Sequence, residues 1–334
     1  MRRRDFVADL LAGGAMHGCR SAGIAQHDTT QGNPPEYART GQVVVEHPSS
    51  GHPHSGKVLA AIQPHADDIS LFAAGTVAKL VSEGYSGYLI RTSNDEKAGP
   101  GTMGETILDN QKDNEGVAKA LGLQKVFDLG YRNHQMDGIS REEMRERLIF
   151  LIRLLKIDTI ICYDPWGAYE ENPDHYVTAQ VVEAACWMAG MDKDYPEHFE
   201  AGAQPHSVGE KYYFARGRQL INRIVDITPW IDQKVSANVA NKTQGPGGEN
   251  GARLRSRLAA QKLRLPILGN DEDTANRQYI KHIVLDYDSK HVRGVPSDRE
   301  IGRQYGLEWA EAFHYIGPAE SMLDRYVSEH AVPM

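Results

Sequence analysis

Apolar and polar positions fall into repeating blocks along the first part of the chain. Residues 57–62 (KVLAAI) are a short apolar run without polar alternation, the pattern of a strand covered on both faces. Residues 70–84 then carry apolar side chains at helical spacing and stop at Gly84, a natural C-cap. The pair recurs three times: strands are predicted over 85–93, 124–130 and 158–164, and helices over 104–123, 140–157 and 174–190. The helix at 140–157 opens on Ser140 with an acidic first turn and is strongly amphipathic. Strand and helix in alternation predict an α/β fold with a mostly parallel sheet and helices on both faces. Right-handed crossovers then bring every strand C-terminus to one edge.

Beyond residue 190 the blocks are less regular. Residues 210–217, 220–228 and 279–288 read as strands, 230–242 as a helix and 244–252 as a flexible loop. We therefore expect a single domain over 57–330 with a C-terminal extension, preceded by a linker over 26–56 that is rich in Gly, Pro, Ser, His and Thr.

The start of the chain changes the picture of location. Residues 1–25 have a basic head and a mild apolar stretch, and Arg3-Arg4-Asp5-Phe6-Val7 resembles the twin-arginine export signal. Export to the periplasm or cell envelope is the expectation. Cleavage after Ala25 is one end-point, and a lipid anchor on Cys19 is the one route to a membrane. Asp9 within the apolar stretch counts against both, and a basic tail on a cytoplasmic protein is the alternative. The net charge of −8 argues against a nucleic-acid partner, and no apolar run is long enough to span a bilayer. Cys19, Cys162 and Cys186 form no CxxC pair, so zinc through thiolates is not expected.

The chemistry gathers at the predicted strand ends. His65, Asp67 and Asp68 follow the first strand within four positions, and His175 lies in the loop after the fourth. Both loops open on one edge of a parallel sheet, where ligands bind. Two histidines and a carboxylate, His65, His175 and Asp68, with water in the fourth position, make a catalytic zinc set. Asp67, from the same turn, is placed to accept a proton from the water. An acidic N-terminal helix turn with structural histidines is the plainer alternative.

Three stretches carry a family resemblance. PHADDIS (64–70), NPDHYVTAQ (172–180) and IVDITPWIDQKVSANVANKTQ (224–244) resemble the motifs of the PIG-L (LmbE-like) zinc-dependent N-deacetylases, over roughly residues 57–315. The resemblance implies a Rossmann-like fold, zinc or another divalent metal on His65, Asp68 and His175, and Asp67 as general base. It implies as substrate a small molecule, an N-acetylated amino sugar or a related amide.

The departures from that pattern matter. Ala66 stands where the family usually has proline. Asn172 replaces a histidine that protonates the leaving amine or stabilises the oxyanion, and asparagine delivers no proton near neutral pH. His134, after the third strand, is the substitute acid, with Asp174 as its orienting partner. Asn110 and Asn241 replace an arginine and a histidine, which predicts a less anionic substrate. Asp95, Glu96, Trp166, Tyr169 and Glu170 are expected to reach the substrate from the cleft walls. Two rival readings stay open: a glycan-binding protein that retains the metal cleft without catalysis, and an amidase of another small conjugate.

Overall fold

The computed structural model describes residues 43–318 and 322–333. The leader at 1–25, Cys19 and the linker as far as residue 42 lie outside the described residues. One sheet of eight strands organises the domain. Its strands are β1 (Val44–Glu46), β2 (Val58–Gln63), β3 (Ser86–Ser93), β4 (Lys125–Tyr131), β5 (Thr159–Tyr163), β6 (Glu210–Phe214), β7 (Arg223–Asp226) and β8 (Ala310–Ile316), in the order β1-β7-β8-β6-β5-β2-β3-β4. All neighbours are parallel except β8, which runs antiparallel to both β6 and β7.

Helices cover both faces. On one side α1 (Asp68–Phe72), α2 (Ala74–Ser82) and α3 (Met103–Ala120) pack with a later helix; on the other, α4 (Arg141–Leu155) packs on α5 (Pro173–Ala189). A short α6 (Glu197–Glu200) follows, and α7 (Ile231–Ala240) is the partner of the first group. β2 and β5 are buried through most of their length, as their unbroken apolar runs predict.

Four expectations are corrected. The helix predicted over 70–84 starts at Asp68 and breaks at Ala73, where φ is −139°. Two buried charges from the far end of the chain take the backbone groups freed there. Arg293 Nη1 donates to the Leu71 carbonyl at 2.7 Å, and Glu311 accepts from the N–H groups of Gly75 and Thr76 at 3.0 and 2.8 Å. Residues 44–46, read as linker, form edge strand β1, because Glu46 is held by Lys79, Tyr212 and Arg223. Residues 279–288, read as a strand, wind into a π-helix over Ile280–Tyr287. Its buried residues, Ile280, Val284 and Leu285, sit at helical spacing. The fourth correction is β8, which the sequence pattern did not announce.

Candidate metal centre

β2 lies between β3 and β5, so the chain leaves it in opposite directions on its two sides. This topological switch point is where an open α/β sheet leaves a crevice beyond its strand ends. The turn after β2 carries His65, and the loop after β5 leads into α5, with His175 in its first turn.

The two histidines meet there. His65 Nδ1 and His175 Nε2 are 2.9 Å apart. Asp68 stands 3.5 Å from the first and 3.7 Å from the second. His65, Asp68 and His175 are all buried, and one ligand atom from each lies within 4.8 Å of the others.

Every one of these side chains is held from behind. His65 Nε2 faces Asp174 Oδ2 at 3.1 Å. Glu170 Oε1 lies 3.1 Å from His175 Nδ1, too far off line for a hydrogen bond. Tyr163 stacks on the His175 ring, with centroids 4.2 Å apart, and its hydroxyl donates to Asp68 Oδ1 at 2.7 Å. Asp68 in turn accepts the His65 backbone N–H at 2.8 Å. Carboxylates on the outer ring nitrogens free the inner ones to bind a metal, and this donor set fits a divalent cation.

Charge points the same way. Burial pushes the Asp67 carboxyl up, and the neighbouring Asp68 pushes it further, to about 7. Burial would also raise Asp68, but the His175 charge, the His65 hydrogen bond and Tyr163 bring it down to about 2. Burial would lower His65, yet Asp174 and Asp68 hold it well above the usual imidazole value. The pocket thus calls for positive charge.

A cavity of about 330 Å³ opens onto this cluster, and His65, Asp67, Asp68, His134, Asn172, His175 and Arg216 all line it. Asp67 caps α1 in sequence only: among the described residues its carboxylate accepts from no other residue. Gly245, at φ +79°, lies over it, where a Cβ would come within 2.6 Å of Asp67 Oδ2. His134 sits at the exposed mouth with φ +59°. Backbone held in that region by a non-glycine residue is a local strain typical of sites. Asp174 takes the His134 backbone N–H at 2.7 Å and supports the His65 ring, so it does not orient the His134 imidazole through a hydrogen bond as expected.

Asn172 has two duties. Its side-chain oxygen caps α5 by accepting from the Asp174 N–H at 3.0 Å, and its Nδ2 lies 3.4 Å from His175 Nε2.

The five predicted substrate contacts lie outside the cavity wall. Asp95 is fully buried, accepting from the Ala66 N–H at 3.1 Å and from Arg91 Nη1 at 3.0 Å, so it braces the His65 turn. Glu96 pairs with Arg132. Tyr169 is 83% exposed at φ +64°. Trp166 rests against His314 and Tyr213 on the outer surface. Glu170 backs His175 and is gripped by Arg216 through Nε and Nη2. Asn110 and Asn241 also stay out of the cavity: Asn110 ties the Asp95–Ala98 loop, and Asn241 donates to Ser70 Oγ, so neither informs substrate charge.

Arg216 and Tyr163 are what sequence reasoning missed. Tyr163 precedes Asp164 at the end of β5 and was visible as a strand-end polar tip; Arg216 comes from the loop after β6, with no motif around it. A separate acid–histidine group, Glu146, Glu197 and His198, fits a cation poorly. Arg153 Nη1 donates to His198 Nδ1 at 3.3 Å, which leaves the ring proton on Nε2 and no lone pair there.

Comparison with known proteins agrees with this geometry. The GlcNAc-PI de-N-acetylase (PIG-L) family model matches residues 60–186. The diacetylchitobiose deacetylase of Thermococcus kodakarensis is 26% identical over 193 residues, covering 57% of this chain and 71% of that protein. The fold is similar to that of the N,N′-diacetylchitobiose deacetylase of Pyrococcus horikoshii (TM-score 0.59, 20% identity, 83% of this chain and 87% of that one). It is similar also to GalB, the 4-carboxy-2-hydroxymuconate hydratase of Pseudomonas putida (TM-score 0.52, 16% identity, 79% of this chain and 98% of that one). Both histidine loops lie inside the segment, residues 60–186, that the PIG-L family model matches.

Proposed function

We propose that this protein is a metal-dependent hydrolase that removes the acetyl group from the nitrogen of an amino sugar or a related N-acylated small molecule, with zinc as its metal and Asp67 as general base. One observation carries the reading: beside the His65–Asp68–His175 set, on the wall of the same cavity, stands Asp67, whose carboxylate accepts from no other residue among the described residues and is free to take a proton. The relative from Thermococcus, named for diacetylchitobiose, supports the substrate class.

His65, Asp68 and His175 would hold the ion, which when bound supplies Lewis-acid polarisation and acidifies water at its open position. The remaining work belongs to the chain. Asp67 takes the proton of the attacking water on a carboxylate oxygen. Asn172 Nδ2, on the same wall, donates to the oxygen that gains charge as the acyl carbon is attacked. Losing one such donor costs an enzyme ~3–4 kcal/mol of barrier. His134, at the mouth, hands a proton to the nitrogen as the C–N bond breaks, and acetate and the free amine leave. Asp174 and Glu170 keep the two imidazoles in place throughout.

The test is acetate release from a panel of N-acetylated sugars and amines by purified protein of measured metal content. Asp67→Asn should keep the metal and lose ~10²–10⁴-fold in rate, the range for an acid–base group. Loaded protein that frees no acetate from any member, or an Asn variant as fast as the parent, would end this reading. The cap duty of Asn172 favours one rival, a sugar-binding protein without catalysis. That rival expects sugar binding, no acetate, and indifference to Asp67→Asn.

A further inference from the structure

The loop after β6 reads Ala215-Arg216-Gly217-Arg218, and its two arginines have different fates. Arg216 lines the metal cavity with its Nε and Nη2 committed to Glu170. Arg218 lines a second cavity, of about 450 Å³. It is exposed, and among the described residues its guanidinium has no hydrogen bond and no ion pair. The backbone beneath it is fixed all the same. The Ala168 N–H donates to the Arg218 carbonyl at 2.7 Å, and Gly217 passes so close to the Ala168 carbonyl that any Cβ would collide with it. That bridge ties Arg218 to the loop that carries Glu170 and leads to His175.

The second cavity adjoins the metal cavity, since Phe72 and Arg293 line both. Phe72, Phe214 and Ile224 are its buried apolar lining, and Arg218 and Gln304 its exposed polar lining. Among the described residues four charged side chains line it, and three of them are spent inside the protein. Arg293 donates to the Leu71 carbonyl and pairs with Asp298. Asp298 and Glu311 both pair with Lys234, and Glu311 accepts from the Gly75 and Thr76 N–H groups as well. Arg218 is the fourth.

One unspent positive charge at the edge of an enclosed hollow calls for one negative charge. A guanidinium meets a carboxylate through two parallel hydrogen bonds. A phosphate monoester brings up to about two charges at neutral pH and would leave one of them uncompensated here. We propose that Arg218 and this cavity take a carboxylate carried by the substrate, so that the substrate class is an acidic N-acylated amino sugar, with its amide at the metal centre and its carboxylate at Arg218. This rests on the hydrolase reading and deepens it. The carboxylate stands either at C6 of the ring or on an ether of a ring hydroxyl, and the test separates these.

Four methyl glycosides are offered to the metal-loaded full chain: that of N-acetylglucosamine, its 6-carboxylate, its 3-O-carboxymethyl ether and its 6-phosphate. One of the two carboxylates should exceed the neutral glycoside by ~10-fold in kcat/KM, the ratio of one charge-assisted pair. Arg218→Gln should bring that ratio close to one, Arg218→Lys should keep part of it, and Arg218→Glu should invert it. Raising the ionic strength from ~0.01 M to ~1 M should shrink the ratio in the parent and leave it flat in Arg218→Gln, as an exposed pair requires. The guanidinium has no partner within the protein, so none of these substitutions burdens the fold. With the neutral glycoside cleaved, a ratio near one in the parent, or a preference that survives Arg218→Gln, overturns the proposal and leaves the hydrolase reading standing. A preference for the phosphate over both carboxylates overturns the carboxylate assignment. If no amide is cleaved, calorimetric titration with the two carboxylates decides. Binding of one of them ~10-fold weaker in Arg218→Gln supports the assignment. Equal binding of both in parent and variant overturns it.

Discussion

The two histidines of the metal centre are supported in opposite ways. His65 stands among acids: Asp68 and Asp174 are within its reach, Asp67 lines the same cavity, and Asp95 braces its turn. Arg91, on that side, is committed to Asp95 and Asp128. His175 has a single acid behind it, Glu170, and Arg216 balances that acid directly. The electrostatic consequence differs in sign. On the first arm burial and Asp68 push Asp67 up to about 7. On the second, burial would raise Glu170, but His175 and Arg216 bring it down to about 2. One arm is short of positive charge until a cation arrives, and the other is already neutralised. The first also has the stiffer support, since Asp174 is fully buried while the Arg216 side chain is about a third exposed (34%).

The largest effects come from removing the rings themselves. His65→Ala and His175→Ala should each abolish stoichiometric metal binding and reduce acetate release to background, read by metal analysis and assay on the same samples. Either variant holding a full equivalent of metal breaks the comparison at its root.

The supports come next, and here the arms should separate. Asp174→Asn should weaken metal affinity by ~10–100-fold, the usual cost of losing an outer carboxylate. It also disturbs a carboxylate that accepts from the His134 and Met136 N–H groups and from Asn133. Arg216→Ala leaves Glu170 in place but less constrained, and should cost under ~10-fold in affinity. Chelator competition on both variants measures the difference. Equal losses would mean that the exposed ion pair is as rigid a support as the buried acid.

These arms also mark how much the sequence disclosed. The parallel half was legible because β2 to β5 are separated by amphipathic helices, and the chemistry-bearing residues sit in the segments that leave the strand ends: His65, Asp67 and Asp68 in the turn after β2 and His175 at the start of α5, beyond β5. His65, Asp68 and His175 needed no more than that. Their supports needed distance. Asp174 was legible as a neighbour of His175, yet its ring partner is His65, on the other loop. Arg216 reaches the site only because β6 pairs with β5. The residues 280–287 failed for a different reason: a short apolar run does not show its period, and burial at Ile280, Val284 and Leu285 decides for a helix. β1 and β8 are held by buried ion pairs that local patterns do not encode.

A smaller effect follows from the charge imbalance, in metal-free protein. Asp67 has its pKa raised on folding from 3.8 to about 7, so the folded state favours the protonated form. Its contribution to stability is whole below about pH 4 and is lost as pH rises towards 7. Asp67→Asn removes that loss. The melting temperature of the metal-free variant should exceed the parent's by roughly 2–5 °C at about pH 8 and match it at about pH 4. Glu170→Gln should do the reverse: Glu170 is lowered from 4.5 to about 2, its stabilisation is present above about pH 4.5, and it fades as pH falls. Opposite signs in the two melts at the higher pH would sharpen the contrast between the arms; the same sign would erase it.

The smallest effect should come from Trp166, which shares a loop with Glu170 and the α5 cap but faces outward. Its ring is 57% exposed and lies 5.5 Å from His314, whose Nδ1 is 3.1 Å from Asp164 Oδ2 at the start of that loop. None of these contacts reaches the cavity wall, and an exposed ring contributes little burial to lose. Trp166→Ala should change kcat/KM for small N-acetylated substrates by less than ~3-fold, within the range of an ordinary surface substitution. The loop's own anchors explain why. Asp164 accepts from the Trp166 N–H at 2.9 Å, and Ala168 bridges to Arg218 beyond it, so the backbone keeps its course without the indole. A larger loss, confined to KM, would extend the substrate site out to the rim and make the His175 arm the one that also reads the ligand.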